Sequence, residues 1–206
     1  MVFGGAGYVG SHVDQALSAA GYDVVAVSRS SPDDQAARVA RNLGAAPGRV
    51  AYVALDAAAD DLGPVLDGAV AAVSCIGALG SGAAVRATNG AVNARIAAAA
   101  AKAGAGRFVY VSVASDLANG PAKFVLGDYL KGKAEAEAAV TTAFGAEKSL
   151  LVRPAIIDGA PPGEVRPPGP PGMKAVAVED VARAVAAGVK GEQSGKIDGN
   201  AAISAL

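Results

Sequence analysis

Short runs of apolar, β-forming residues alternate with helix-forming stretches along almost the whole chain. Val24–Val27, Val50–Leu55, Ala69–Cys75, Phe108–Val113 and Leu150–Val152 are the β-like runs, and segments such as Pro32–Leu43 and Val85–Ala103 separate them. Strands alternating with helices predict βαβ units and a parallel sheet. The run Phe108-Val109-Tyr110-Val111-Ser112-Val113 is nearly continuous in β-formers, which predicts a central strand covered on both faces. Abundant alanine blurs the helical periodicity but favours helix at every position it occupies, so element type is better defined than element boundary. Val9–Ala20 reads as a helix ended by Gly21, Val178–Val189 as a helix opened by Glu179 and Asp180, and Lys196-Ile197-Asp198 as a last short strand. Gly159 to Gly172 holds six prolines and four glycines in fourteen positions, which excludes helix and inner strand. It is a loop, either a plain connector or a shortened substrate lid.

Composition narrows the picture. The 206 residues, 52% of them hydrophobic, suit one domain spanning 1–206 with an ample core. Eighteen Lys and Arg against 19 Asp and Glu leave no basic excess, so no nucleic-acid partner is implied. One cysteine, Cys75, excludes an internal disulfide and predicts a reducing compartment, and with the single His12 it provides no zinc-ligand set. His12 reads as a partly exposed surface residue and Cys75 as a small apolar core group. Arg95, Lys102 and Arg107 interrupt the Ala-rich stretches, so no membrane span is predicted and the protein is expected to be soluble. No signal or transit segment is read at the N-terminus, and the first strand is only three residues long; either a native leader ahead of it is missing or the chain opens directly on the strand.

The chemistry starts at the first turn. Met1-Val2-Phe3 runs into Gly4-Gly5-Ala6-Gly7-Tyr8-Val9-Gly10, read as GxGxxG from Gly5 or as GxxGxxG from Gly4. In either register, glycines let the chain turn off the strand, let backbone N–H groups approach a pyrophosphate, and let the helix pack on the sheet. The anion would sit on the helix N-terminus. Strand, glycine turn and helix in that order predict a doubly wound Rossmann fold of the α/β class, with a reduced substrate-binding region late in the chain. At the end of the second strand an NAD-binding protein usually offers a carboxylate to the ribose. Here the residues are Ser28-Arg29-Ser30, whose guanidinium and hydroxyls suit a 2′-phosphate, so NADPH is favoured over NAD. Asp56, closing the third strand, is either an adenine contact or an ordinary turn residue.

Tyr129 and Lys133 form YxxxK, which puts both side chains on one helix face. A nearby ammonium is expected to favour the phenolate and bring the tyrosine closer to a working range for proton transfer. Phe124, Val125 and Leu126, just ahead, are candidates for a nicotinamide pocket, for core or for a partner contact.

These features resemble the short-chain dehydrogenase/reductase superfamily, in its extended and atypical branch, over nearly the whole chain. The residues that carry the resemblance are the glycine turn Gly4–Gly10, Ser74-Cys75-Ile76-Gly77-Ala78, Thr88-Asn89-Gly90-Ala91-Val92-Asn93, Arg107–Ser112, Tyr129 through Lys133, Leu151-Val152-Arg153-Pro154 and Val178–Ala182. Within the branch the chain looks similar to plastid NAD(P)-binding oxidoreductase-like proteins, a mitochondrial protein associated with coenzyme Q synthesis, and the nucleotide-binding accessory subunit of respiratory complex I. The resemblance implies that Gly4, Gly7 and Gly10 hold the pyrophosphate, Arg29 the 2′-phosphate and Asp56 the adenine. It places Cys75, Ile76, Gly77 and Asn89 along the cofactor, Tyr129 and Lys133 at the nicotinamide, and Pro154 at the carboxamide through its backbone. It also implies an organelle interior, mitochondrial or plastid. An active member carries Ser or Thr just past the fifth strand to polarise a carbonyl; here Val113 or Ala114 falls there, between Ser112 and Ser115, and Ser112 is the candidate donor. Two functions follow as expectations. One is an NADPH-dependent oxidoreductase acting on a carbonyl or quinone-like substrate, and the other an NADPH-binding accessory subunit docked in a larger complex.

Overall fold

The structure, a computed structural model, describes residues 1–161, 163–165 and 174–206. In chain order the elements are β1 (Val2–Phe3), α1 (Tyr8–Ala19), β2 (Val24–Ser28), α2 (Pro32–Leu43), β3 (Val50–Ala54), α3 (Gly63–Leu66), β4 (Ala71–Ser74), α4 (Ala83–Asn89), α5 (Ala91–Lys102), β5 (Arg107–Val111), α6 (Ser115–Asn119), a 3₁₀ turn at Pro121–Phe124, α7 (Gly127–Lys148), β6 (Ser149–Arg153), α8 (Val178–Lys190), β7 (Gly195–Asp198) and α9 (Asn200–Ser204). The seven strands pair in parallel in the order β3-β2-β1-β4-β5-β6-β7. Strand order therefore reverses between β1 and β4, and a crevice opens at the C-terminal ends of these strands. The connection expected over 159–172 lies outside the described residues at 162 and 166–172.

Period-two alternation divides each inner strand between two cores. Val109 and Val111 face one side, with Val13, Leu17, Val181 and Val185 of α1 and α8; Phe108 and Tyr110 face the other, with Ile96, Val140 and Phe144 of α5 and α7. β5 lies one strand from the centre of the sheet and is buried on both faces, as its composition predicts. α2 begins where Ser31 accepts the Asp34 N–H at 3.2 Å and Pro32 sets the first helical turn.

The segment Val85–Ala103, read as one helix, is two. Gly90 breaks it because α7 crosses there at backbone distance: a Cβ on Gly132 would stand 2.6 Å from the Arg86 carbonyl oxygen and 3.1 Å from the Gly90 nitrogen. That crossing brings the face of α7 carrying Lys133 against the end of β4. A second tie comes from Arg153 at the end of β6, which pairs with Glu137 of α7 and, at 3.3 Å, with Asp198 of β7. Asn200 pins the segment that follows β6, accepting the Ala155 N–H at 2.8 Å and donating to the Ile156 and Lys174 carbonyls.

Candidate functional site

The crevice is a cleft of about 800 Å³. At its centre is the glycine turn. Gly4 has φ +79°, a conformation side chains disfavour, and its N–H donates to the Val27 carbonyl at 2.8 Å. Gly10 is required for close approach: a Cβ there would lie 2.1 Å from the Gly4 oxygen and 2.8 Å from the Gly5 Cα. Gly7 caps α1 with no side-chain hydrogen bond, so no side-chain oxygen competes for the leading N–H groups of the helix.

One end of the cleft is lined by Ser28, Arg29, Ser30 and Asp56, all anticipated from sequence, and by Arg38 of α2, which was not. Arg38 lies nine positions past Arg29 on the next helix, and its only sequence signal was a basic residue on a polar face. The turn carrying Arg29 is held from below by the buried Gln35, whose amide donates to the carbonyls of Ser28 at 3.2 Å, Ser30 at 2.8 Å and Val53 at 2.9 Å. Asp56 is a turn residue and a lining residue at once: its carboxylate accepts the Ala58 N–H at 2.9 Å.

The other end is lined by Cys75, Ile76, Gly77, Ala78, Thr88 and Val92. Asn89 does not line it but is buried beneath, donating to the carbonyls of Ala78 and Val85 at 2.8 Å and so fixing the turn at Gly77 and Ala78. Asn93 works the same way, donating to the Asn89 carbonyl at 2.9 Å and meeting Ser74 Oγ at 2.5 Å.

Tyr129 and Lys133 sit on one face of α7, as the spacing requires. Lys133 is almost fully buried under Gly77, where a Cβ would meet its Nζ at 3.3 Å; Nζ donates to the carbonyls of Val111 at 2.9 Å and Ile76 at 3.4 Å. It lies 4.7 Å from the Tyr110 ring centre and 5.8 Å from that of Tyr129. Burial lowers the Lys133 pKa to about 8 and raises that of Tyr129 to about 12. The expected phenolate-favouring effect is therefore reversed in this state, because the ammonium is directed at backbone carbonyls and does not offset the desolvation of the phenol.

Past β5, Ser112 is buried and its hydroxyl has no hydrogen-bond partner among the described residues. Val113 and Ala114 are buried too. The Pro154 carbonyl accepts the Ala114 N–H at 2.9 Å, and Ser115 donates its N–H to Asp198 at 3.0 Å.

His12 departs from the partly exposed position expected of it. His12 is buried, its ring edge-on to Tyr8 at 5.1 Å and its Nδ1 3.7 Å from Glu179; burial lowers its pKa and Glu179 opposes that. Tyr8 is not among the residues lining the cleft and donates to the Asp158 carbonyl at 3.4 Å. Cys75 is half-buried at the cleft wall, its thiol pushed up to about 12, first by burial and then by Asp14. Of the remaining anticipated residues, Gly5, Ala6 and Val9 shape the turn and its helix without lining the cleft, and Phe124 and Val125 are exposed.

A parallel sheet with a glycine turn and a cleft at its strand-order reversal defines a Rossmann-type dinucleotide-binding protein. Residues 4–192 match the profile of the family described as NAD(P)H-binding, and the chain belongs to that family. No curated protein matches it. Among solved structures it shares its fold with a Bacillus halodurans protein described as an NAD-dependent epimerase/dehydratase, at TM-score 0.73 and 21% identity over 100% of this chain and 98% of that one. MoeE5 in complex with UDP-glucose and NAD superposes at TM-score 0.73 and 18% identity, over 96% of this chain and 74% of that one. BdcA in complex with NADPH does so at TM-score 0.69 and 19% identity, over 96% and 90%. Among the described residues no helix is long and apolar enough to cross a membrane.

Proposed function

We propose that the chain binds NADPH along the crevice and acts as an oxidoreductase on a carbonyl or quinone-like carbon. The observation that carries this is the pair Arg29 and Arg38 at one end of a cleft whose middle is a glycine turn over a helix N-terminus. Two guanidiniums suit a dianionic 2′-phosphate, whereas a diol alone would call for a carboxylate. The backbone of Gly4, Gly7 and Gly10 would take the pyrophosphate and Asp56 the adenine, with Cys75, Ile76 and Gly77 as the wall beyond. When bound, the dinucleotide supplies a hydride. Tyr129, kept protonated by burial, is suited to donate a proton to a developing alkoxide. Lys133, charged at neutral pH, places positive charge beneath Gly77, and Ser112 is the nearest hydroxyl past β5.

A second reading, an NADPH-binding accessory subunit without turnover, is favoured by one feature: the positions that would polarise a substrate carbonyl, Val113 and Ala114, are buried and apolar. Titration with NADPH and NADH, followed through cofactor fluorescence since the chain lacks Trp, tests binding; a screen of quinones and carbonyls tests turnover. Arg29→Ala and Arg38→Ala are each expected to weaken NADPH by about 10- to 100-fold, the scale of a lost charged hydrogen bond, and NADH hardly at all. Equal losses for both cofactors would remove the 2′-phosphate assignment. Turnover that survives Tyr129→Phe would remove the proposed proton donor, and binding without turnover would favour the accessory role.

A further inference from the structure

A carboxyl group lies directly under the glycine turn. Along α1 the buried face runs through Gly10, Val13, Asp14 and Leu17, so an acidic residue occupies an apolar stripe. Asp14 is fully buried, and neither carboxyl oxygen has a hydrogen-bond partner among the described residues. One of those oxygens is aimed at the underside of the turn: a Cβ on Gly5 would lie 2.9 Å from Asp14 Oδ2.

The groups facing Asp14 are few. Just ahead of β1 the Met1 nitrogen donates to the Ala71 carbonyl at 2.9 Å, and a positive charge there favours an ionised Asp14. From β3 comes Tyr52, its hydroxyl buried and also without a partner among the described residues; from the end of β4 comes the Cys75 thiol. β2 carries no titratable side chain. From α2 the neutral Asn42 reaches Ser11 at 2.9 Å, and from α8 Glu179 faces His12.

We propose that dinucleotide occupancy is coupled to a proton on Asp14: the chain binds its cofactor with Asp14 neutral, and ionisation of Asp14 weakens binding. The inference rests on the dinucleotide reading of the cleft. A pyrophosphate on the upper side of the turn and a carboxylate on the lower side would be like charges separated by one layer of backbone, with little water to screen them. Burial already holds the Asp14 carboxyl protonated well above the ordinary carboxylate range, with the Met1 charge opposing. Binding of the anion raises its proton affinity further, and linkage then requires proton uptake on binding.

The test is NADPH titration of the full chain and of Asp14→Asn at steps from about pH 6 to about pH 9, with calorimetry in two buffers of different ionisation enthalpy. The 2′-phosphate titrates identically in both proteins, so the difference between them reports Asp14. For the unaltered chain the Kd is expected to rise with pH, at a limit of about tenfold per unit, and protons to be taken up; in Asp14→Asn this component of the slope and the uptake vanish. An unchanged slope in the variant overturns the proposal. Should Asp14→Asn fail to fold, absence of proton uptake by the unaltered chain overturns it equally, and Asp14→Leu, which completes the apolar stripe, serves as the second variant. Failure of every protein to bind at every pH overturns the dinucleotide reading itself, a different result from pH-independent binding.

Discussion

Gly10 is the residue with the least freedom in the site. A methyl group there would penetrate the Gly4 carbonyl oxygen at 2.1 Å, and backbone on both sides leaves nothing flexible to move. Gly10→Ala is therefore expected to push α1 off the turn, costing about 1–3 kcal/mol of stability and at least tenfold in dinucleotide affinity. Thermal unfolding and cofactor titration check this, and native values for both would show that α1 slides without loss. Such glycines were legible because turn chemistry is local. Charge states were not. The spacing of Tyr129 and Lys133 put them on one helix face, but only their burial showed a phenol raised to about 12 beside a lysine lowered to about 8. Arg38 escaped notice for a related reason, since its place at the cleft depends on how α2 packs.

At the scale of elements, α7 is what joins the two halves of the site. It crosses Gly90 at backbone contact and is tied to the sheet through Glu137, Arg153 and Asp198, the last of which also holds the first turn of α6 through the Ser115 N–H. Arg153→Met strands two carboxylates, Glu137 in a largely buried place, and is expected to cost about 1–2 kcal/mol at neutral pH after allowing for solvent at Asp198. The pH dependence has a definite sign. Burial alone would raise the Asp198 pKa, but the Ser115 and Arg153 bonds outweigh it and hold it below the ordinary value. The stability so gained is present above the unfolded carboxylate pKa and is lost as pH falls through the folded one. The deficit of Arg153→Met should accordingly shrink below about pH 4, as denaturant unfolding at a series of pH values would show. Long elements such as α1, α2 and α8 were readable from helix-forming composition and, for α1 and α8, from residues at their ends. The short helices α3, α6 and α9 were not, because four or five residues carry no periodicity, and the break at Gly90 arises from a helix 42 positions further along the chain.

At the scale of the molecule, a cleft that crosses the sheet between β1 and β4 makes a bound dinucleotide a cross-link between the halves of the fold. Binding only the folded state, a dinucleotide at a hundred times its Kd should stabilise the chain by about 2.7 kcal/mol, and so raise Tm by about 5–10 °C for a chain of this size. Circular dichroism melts with and without NADPH test this, and an unmoved Tm under saturating conditions would contradict binding in the cleft. Strand and helix alternation, the glycine turn, Ser28-Arg29-Ser30 and the YxxxK pair were all readable before folding, because each depends on neighbours within a few positions. Strand order, the cleft formed where it reverses, the burial of His12, the protonation of Tyr129 and the carboxyl of Asp14 under the turn required the folded chain. Each of these is set by groups distant in sequence that packing brings together, and by the water that packing removes.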